Sequence, residues 1–165
     1  MDSLAREFEN LYNPALGAVI LQRFVEGYSQ RENRGTPLTL LYVVFPILFQ
    51  EQMFNLLSKT QVGSGLRKFL NKLYTKENSL SDFILSFPKR TEEFRDLSER
   101  SLRMGLLTEL LVMKPNQAIV FHNNKKNFVS ESSDVDKLLK GAKKLGGWCA
   151  SLSLFEIGNL LGLEL

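Results

Sequence analysis

The stretch Thr36 to Gln50, TPLTLLYVVFPILFQ, constrains the fold more than any other part of the chain. From Leu38 to Phe49 only Thr39 and Pro46 interrupt its apolar residues, and Arg34 and Glu51 carry the nearest charges on either side. A membrane-spanning helix needs roughly 20 apolar residues, whereas about twelve residues at ~1.5 Å each reach only ~18 Å into a hydrocarbon slab of ~30 Å. The run is too short to span. Because it is apolar around its whole circumference, it must be surrounded by the domain or covered by another subunit, and a central core helix is the expectation. Thr36 can cap such a helix and Pro37 can open it, while Pro46 has no N–H to donate to residue 42 and should kink or end it.

A core of this kind needs enough chain to enclose it. With 165 residues, 44% of them hydrophobic, the sequence is read as one domain over residues 1–165, a size that buries about 70% of the surface its unfolded form exposes. The opening MDSLAREFEN is acidic and amphipathic, unlike the basic n-region of a secretory signal, so a cytoplasmic protein with no membrane partner is expected.

The fold class expected is mainly α with one short β-hairpin, a helical domain containing a winged-helix-like unit. Residues 1–76 read as its helical N-terminal part. Ser3 can cap a short helix carrying Leu4, Phe8 and Leu11, and Asn13-Pro14 places a cap and an N1 proline at the start of a helix to about Tyr28. Leu16, Ile20, Phe24 and Tyr28 recur along it every four residues, the stripe of a helix laid on a core. Glu51 to Ser58 continues as a more amphipathic piece, and Gly63-Ser64-Gly65 marks a turn before the stripe Leu66, Phe69, Leu70 and Leu73.

Residues 77–130 supply the winged-helix-like unit. Ser79 and Asp82 resemble a capping box for a helix that should stop near Pro88, and Thr91 can cap the next, with Phe94, Leu97, Ser101 and Met104 inward and Gly105 at its end. Two β-prone runs, Glu109 to Met113 and Ala118 to His122, flank Lys114-Pro115-Asn116-Gln117, which suits a type I turn. Helix, turn, helix, hairpin is the order of a winged helix. In residues 131–165, Ser133 can cap a helix with Val135, Leu138, Leu139, Ala142 and Leu145 inward and Lys137, Lys140, Lys143 and Lys144 outward, and Ser153 to Glu156 forms a capping box for a last helix ending at Gly162.

Catalytic signals are weak. Gly63-Ser64-Gly65 lacks the third glycine and the preceding strand of a dinucleotide site, and no G-K-S or G-K-T follows it. His122, the single histidine, sits on the expected hairpin beside two asparagines, where it reads as a surface or satisfied residue. Cys149, the single cysteine, follows Trp148 on an apolar helix face and reads as a small hydrophobe. No enzyme, no cofactor and no metal site is expected. For nucleic acid, the helix from Thr91 to Met104 offers Glu92, Glu93, Asp96 and Glu99 against Arg95, Arg100 and Arg103, a poor face for phosphates, with Asp96–Arg100 and Glu99–Arg103 spaced as helical ion pairs. The lysines at 137, 140, 143 and 144 are the better electrostatic footprint, although no aromatics interleave with them to stack bases.

Several segments in order resemble a known family: NPAL at Asn13 to Leu16, PLTLLYVVFP at Pro37 to Pro46, SLRMGLL at Ser101 to Leu107, and KKLGGW followed by LLGLEL from Lys143 to the end. Over about Asn13 to Leu163 the chain is similar to the middle component of three-component ABC-ATPase systems, bacterial anti-phage modules that include Lamassu. The resemblance implies a non-catalytic adaptor that links an SMC-like ABC ATPase, the DNA sensor, to a nuclease-type effector, with at most a weak, sequence-independent DNA contact through Lys137, Lys140, Lys143 and Lys144. The alternative carried beside it is a free-standing winged-helix DNA-binding regulator.

Overall fold

The computed structural model describes residues 12–31, 34–75, 78–121 and 132–165, and eight α-helices and a small antiparallel sheet lie among them. The expected first helix around Leu4, Phe8 and Leu11, and His122, fall outside these residues, as does the side chain of Ser79.

Helix α1 runs Pro14–Arg31, and the Ala15 N–H donates to Asn13 Oδ1 at 2.8 Å, so Asn13 caps it and Pro14 takes N1 as expected. It forms the axis of the fold, packed along one side by α6 (Arg95–Leu107) and along another by α7 (Ser133–Cys149). With neighbours on two sides the burial exceeds one stripe: Ala18, Leu21 and Val25 are enclosed together with Ile20, Phe24 and Tyr28. The crossing with α7 is close because it is glycine against backbone. A Cβ on Gly146 would stand 2.0 Å from the Phe24 carbonyl oxygen, and one on Gly27 would stand 1.9 Å from that of Lys143.

The apolar run is core, but it is not one helix. Leu40, Leu41, Val43, Val44, Phe45, Ile47 and Leu48 are all buried. Thr36 does not cap a helix; Thr36–Pro37 is strand β1, with Thr36 opposite Ile119 and Pro37 opposite Ala118. The residue before a proline is pushed out of the helical region, and an edge strand tolerates the missing N–H. Leu38–Val43 is then a 3₁₀ helix and Val44–Leu48 is α2. This change of winding puts Pro46 in the first turn of α2, where its absent donor costs nothing. At Gln50 the chain bends by 99° into α3, Glu51–Lys59, whose Met53 N–H is taken by the Gln50 side chain at 2.6 Å. No single helix among the described residues is long and apolar enough to cross a membrane.

Helix α4 (Gly65–Thr75) buries Leu66, Phe69, Leu70 and Leu73 as the stripe required. Helix α5 (Asn78–Glu93) corrects two expectations, because it passes through Pro88 and contains Thr91, whose hydroxyl donates back to the Phe87 carbonyl at 3.0 Å. An interior proline costs ~3 kcal/mol. Burying Phe87 and Phe94 on either side offsets it at ~1.5–3 kcal/mol each. The break comes instead at Phe94, before α6. Gly105 does not end α6, which runs on to Leu107; a Cβ there would come within 2.8 Å of the Leu111 side chain, so the glycine admits the strand that follows.

Strands β2 (Leu111–Met113) and β3 (Ala118–Phe121) form the expected hairpin, shortened at its start where Glu109 takes a φ of 56°. The Gln117 N–H donates to the Lys114 carbonyl at 2.9 Å, and β1 adds to the far side of β3, giving the order β1-β3-β2. Ser132, one residue before the expected Ser133, is the N-cap position of α7. The last helix, α8 (Leu154–Leu161), has the capping box of Ser153 and Glu156 and ends at Gly162 in the left-handed region.

Candidate interaction surfaces

The basic residues of α7 share a helix but have different surroundings. Lys137 Nζ lies 3.1 Å from Asp134 on the exposed side, and Lys140 is exposed without a partner among the described residues. Lys143 Nζ donates to Glu26 at 3.0 Å, and Arg23 donates to the same carboxylate at 2.9 Å. Burial pulls the Glu26 carboxyl up, but the hydrogen bonds from Arg23 and Lys143 outweigh it and hold the group below the usual range.

Lys144 plays a part that spacing did not show. Its Nζ donates to the carbonyls of Leu57 at 3.0 Å, Ser58 at 3.4 Å and Thr60 at 2.9 Å, and it sits 6.0 Å from the Trp148 ring centre. It thereby satisfies orphan carbonyls at the C-terminus of α3, where a cation also suits the helix dipole. Burial lowers its pKa below the ordinary lysine value. Beside it, the Trp148 Nε1–H donates to the Val62 carbonyl at 2.7 Å, so α7 holds the α3–α4 connection at two points. Lys144→Ala is expected to destabilise the isolated chain by ~1–3 kcal/mol by removing the donor of the Ser58 and Thr60 carbonyls, the Leu57 carbonyl keeping the Thr60 N–H, read as a lower urea midpoint at unchanged slope. Lys140→Ala should leave the midpoint within ~0.5 kcal/mol of wild type.

The charged face of α6 is largely neutralised within itself. Arg95 reaches Glu99 at 3.0 Å and Glu92 at 3.5 Å, and Arg100 reaches Asp96 at 3.5 Å. The Asp96–Arg100 pair follows the sequence spacing, whereas Glu99 chooses Arg95, one turn earlier, over Arg103. A surface of alternating sign has little to offer a row of phosphates.

Cys149 is buried and its thiol is pushed up to about 12 by desolvation, so it is no nucleophile near neutral pH. Gly63-Ser64-Gly65 spans a short 3₁₀ turn and the start of α4, with α3 rather than a strand before it. Among the described residues no three His, Cys, Asp or Glu side chains gather as metal ligands would.

Two of the depressions among the described residues border α1. One of about 510 Å³ opens where Tyr28, Arg34 and Gly35 meet Asn116 and Gln117 of the turn. The other, about 390 Å³ and almost wholly apolar, lies between the N-terminal turns of α1 and the C-terminal end of α6, at Leu16, Val19, Met104, Thr108 and Leu110. The exposed apolar side chains of Leu107, Val112 and Met113 are close to it in sequence. No sequence signal marked this second groove, because its walls come from segments about 90 residues apart.

The family model of the ABC-three component (ABC-3C) system Middle Component 3 matches residues 1–165, and the chain belongs to that family. No curated protein and no solved structure matches it. As a middle component it is an accessory subunit of a multi-component system.

Proposed function

We propose that the chain is a non-catalytic adaptor, linking an SMC-like ABC ATPase that senses DNA to a nuclease-type effector in anti-phage defence of the Lamassu type. The family match over residues 1–165 carries this reading. The surfaces agree with it: Arg95 and Arg100 are paired with Glu92, Glu99 and Asp96, and the one cysteine is enclosed. The sequence of α5, α6 and the hairpin, with β1 completing the sheet, supports a winged-helix-like unit. Such a unit with a charge-balanced helix face serves protein contact better than DNA reading, since function resides in the site and not in the fold.

The direct test is co-expression of the tagged chain with the other components of its system. Recovery of a stable complex with the ATPase is expected, while recovery of the chain alone, bound to specific DNA upstream of its own gene, would establish the regulator reading in its place. Any DNA contact of the assembled complex should run through the exposed Lys137 and Lys140 and be indifferent to sequence. Replacing both by glutamate is then expected to reduce the slope of log affinity against log salt by ~2. An unchanged slope would mark these lysines as a solvated face.

A further inference from the structure

Gln117 stands in the left-handed region with a φ of 60°, a conformation that glycine adopts at no steric cost and glutamine does not. It closes the hairpin turn, where its N–H donates to the Lys114 carbonyl at 2.9 Å and the Lys114 N–H donates to the Ala118 carbonyl at 2.8 Å. Glycine is the residue that suits the last place of such a turn. The Gln117 amide has no partner among the described residues, and it lines the hollow of about 510 Å³. Backbone strain of this kind clusters at ligand clamps.

The polar groups around it are open as well. Asn116 Oδ1 accepts the Ala118 N–H at 3.3 Å, which leaves the Asn116 NH₂ free, and Thr39 is exposed with no partner for its hydroxyl among the described residues. Arg34 is the one charged side chain among the described lining residues, and its five donors can serve a carboxylate beside the interaction it already makes. Thr39 also lines a second hollow, of about 320 Å³, which continues over Tyr42 to Thr91 and Arg95 at the break between α5 and α6. The two hollows therefore meet at Thr39 as one valley. In its second half Leu163 and Leu165 rest on the core while Glu164 between them is exposed, the alternation of an extended chain.

We propose that this valley docks an extended segment of another component of the system, with apolar side chains at alternate positions and a carboxylate at the Arg34 end. The Gln117 amide offers a donor and an acceptor, the match of a peptide group, and the Asn116 NH₂ adds a donor, while apolar side chains settle against Pro37, Leu38 and Leu154. Glu164 at the other end repels the carboxylate and sets the direction of the segment. A nucleotide fits less well, because small-molecule sites enclose most of their ligand, whereas this valley runs on past Thr39. The inference rests on the adaptor reading, since it takes its occupant from the same system.

Gln117→Gly and Thr39→Phe test it in the full chain co-expressed with the other components. Glycine relieves the left-handed strain and removes the amide, so the isolated chain is expected to melt at or above wild type while capture of the partner falls ~3–10-fold. Thr39→Phe fills the join of the two hollows from an exposed position, and should lower capture at least ~10-fold with the melting temperature unchanged. It carries the test by itself if the glycine variant melts early. Equal capture by wild type and both variants overturns the docking site and leaves the adaptor reading standing. No capture by wild type overturns both. Saturable binding of AMP or ATP to the isolated chain, lost in Gln117→Gly with capture intact, gives the hollow to a nucleotide and overturns the proposal.

Discussion

Phe45→Ala is expected to lower the melting temperature of the isolated chain by on the order of 10 °C. The Phe45 ring is fully buried, with the Phe49 ring centre 5.3 Å away and its tip against α1 at Gly17. Removing a phenyl ring from such a site costs ~3–5 kcal/mol in lost transfer energy and residual cavity. A domain of this size is stable by about 5–15 kcal/mol, and each kcal/mol shifts its midpoint by ~2–4 °C. The measurement is thermal unfolding of wild type and variant without partners. Midpoints that coincide would show that a partner, and not the helices of this chain, encloses the run from Leu38 to Phe49.

Gly146→Ala sets two effects of opposite sign against each other. Alanine is favoured over glycine inside a helix by ~1 kcal/mol, which alone would raise stability. The new Cβ, however, would stand 2.0 Å from the Phe24 carbonyl oxygen, and a backbone atom cannot swing aside as a side chain can. Helices α1 and α7 must then shift apart at the contact, and overpacking costs ~1–3 kcal/mol and occasionally more, a clash with backbone lying at the upper end. The net expectation is a clear loss, shared by Gly27→Ala at the other end of the crossing. Gly63→Ala, where nothing lies within 4 Å, should be close to neutral. A Gly146→Ala variant melting at or above wild type would contradict the close crossing.

The features legible in the sequence are those that short-range chemistry decides. Asn13-Pro14 caps and opens α1, Ser153 and Glu156 form their capping box, and Lys114 to Gln117 make the turn of the hairpin. In each case the donors and acceptors lie within four residues of one another. The apolar stripe of α4 and the enclosed run at Leu40 to Leu48 follow equally from residues that water rejects.

The misreadings fall where a distant partner outweighs a local preference. Thr36 has the residue type of a cap, yet it pairs with Ile119, and Pro88 has the type of a helix stop, yet Phe87 and Phe94 anchor α5 on both sides of it. Lys144 looks like one more exterior lysine until the end of α3 is brought under it. The sequence by itself determined that the chain is mainly helical, where several helices begin, and that the run from Leu38 to Phe49 must be covered. Tertiary structure decided how that run is wound, which lysines remain in solvent, and where the apolar groove between α1 and α6 lies. Local propensities are worth tenths of a kcal/mol to about 1 kcal/mol per residue, whereas burying one aromatic ring or satisfying a helix end is worth more, so long-range contacts win wherever the two disagree.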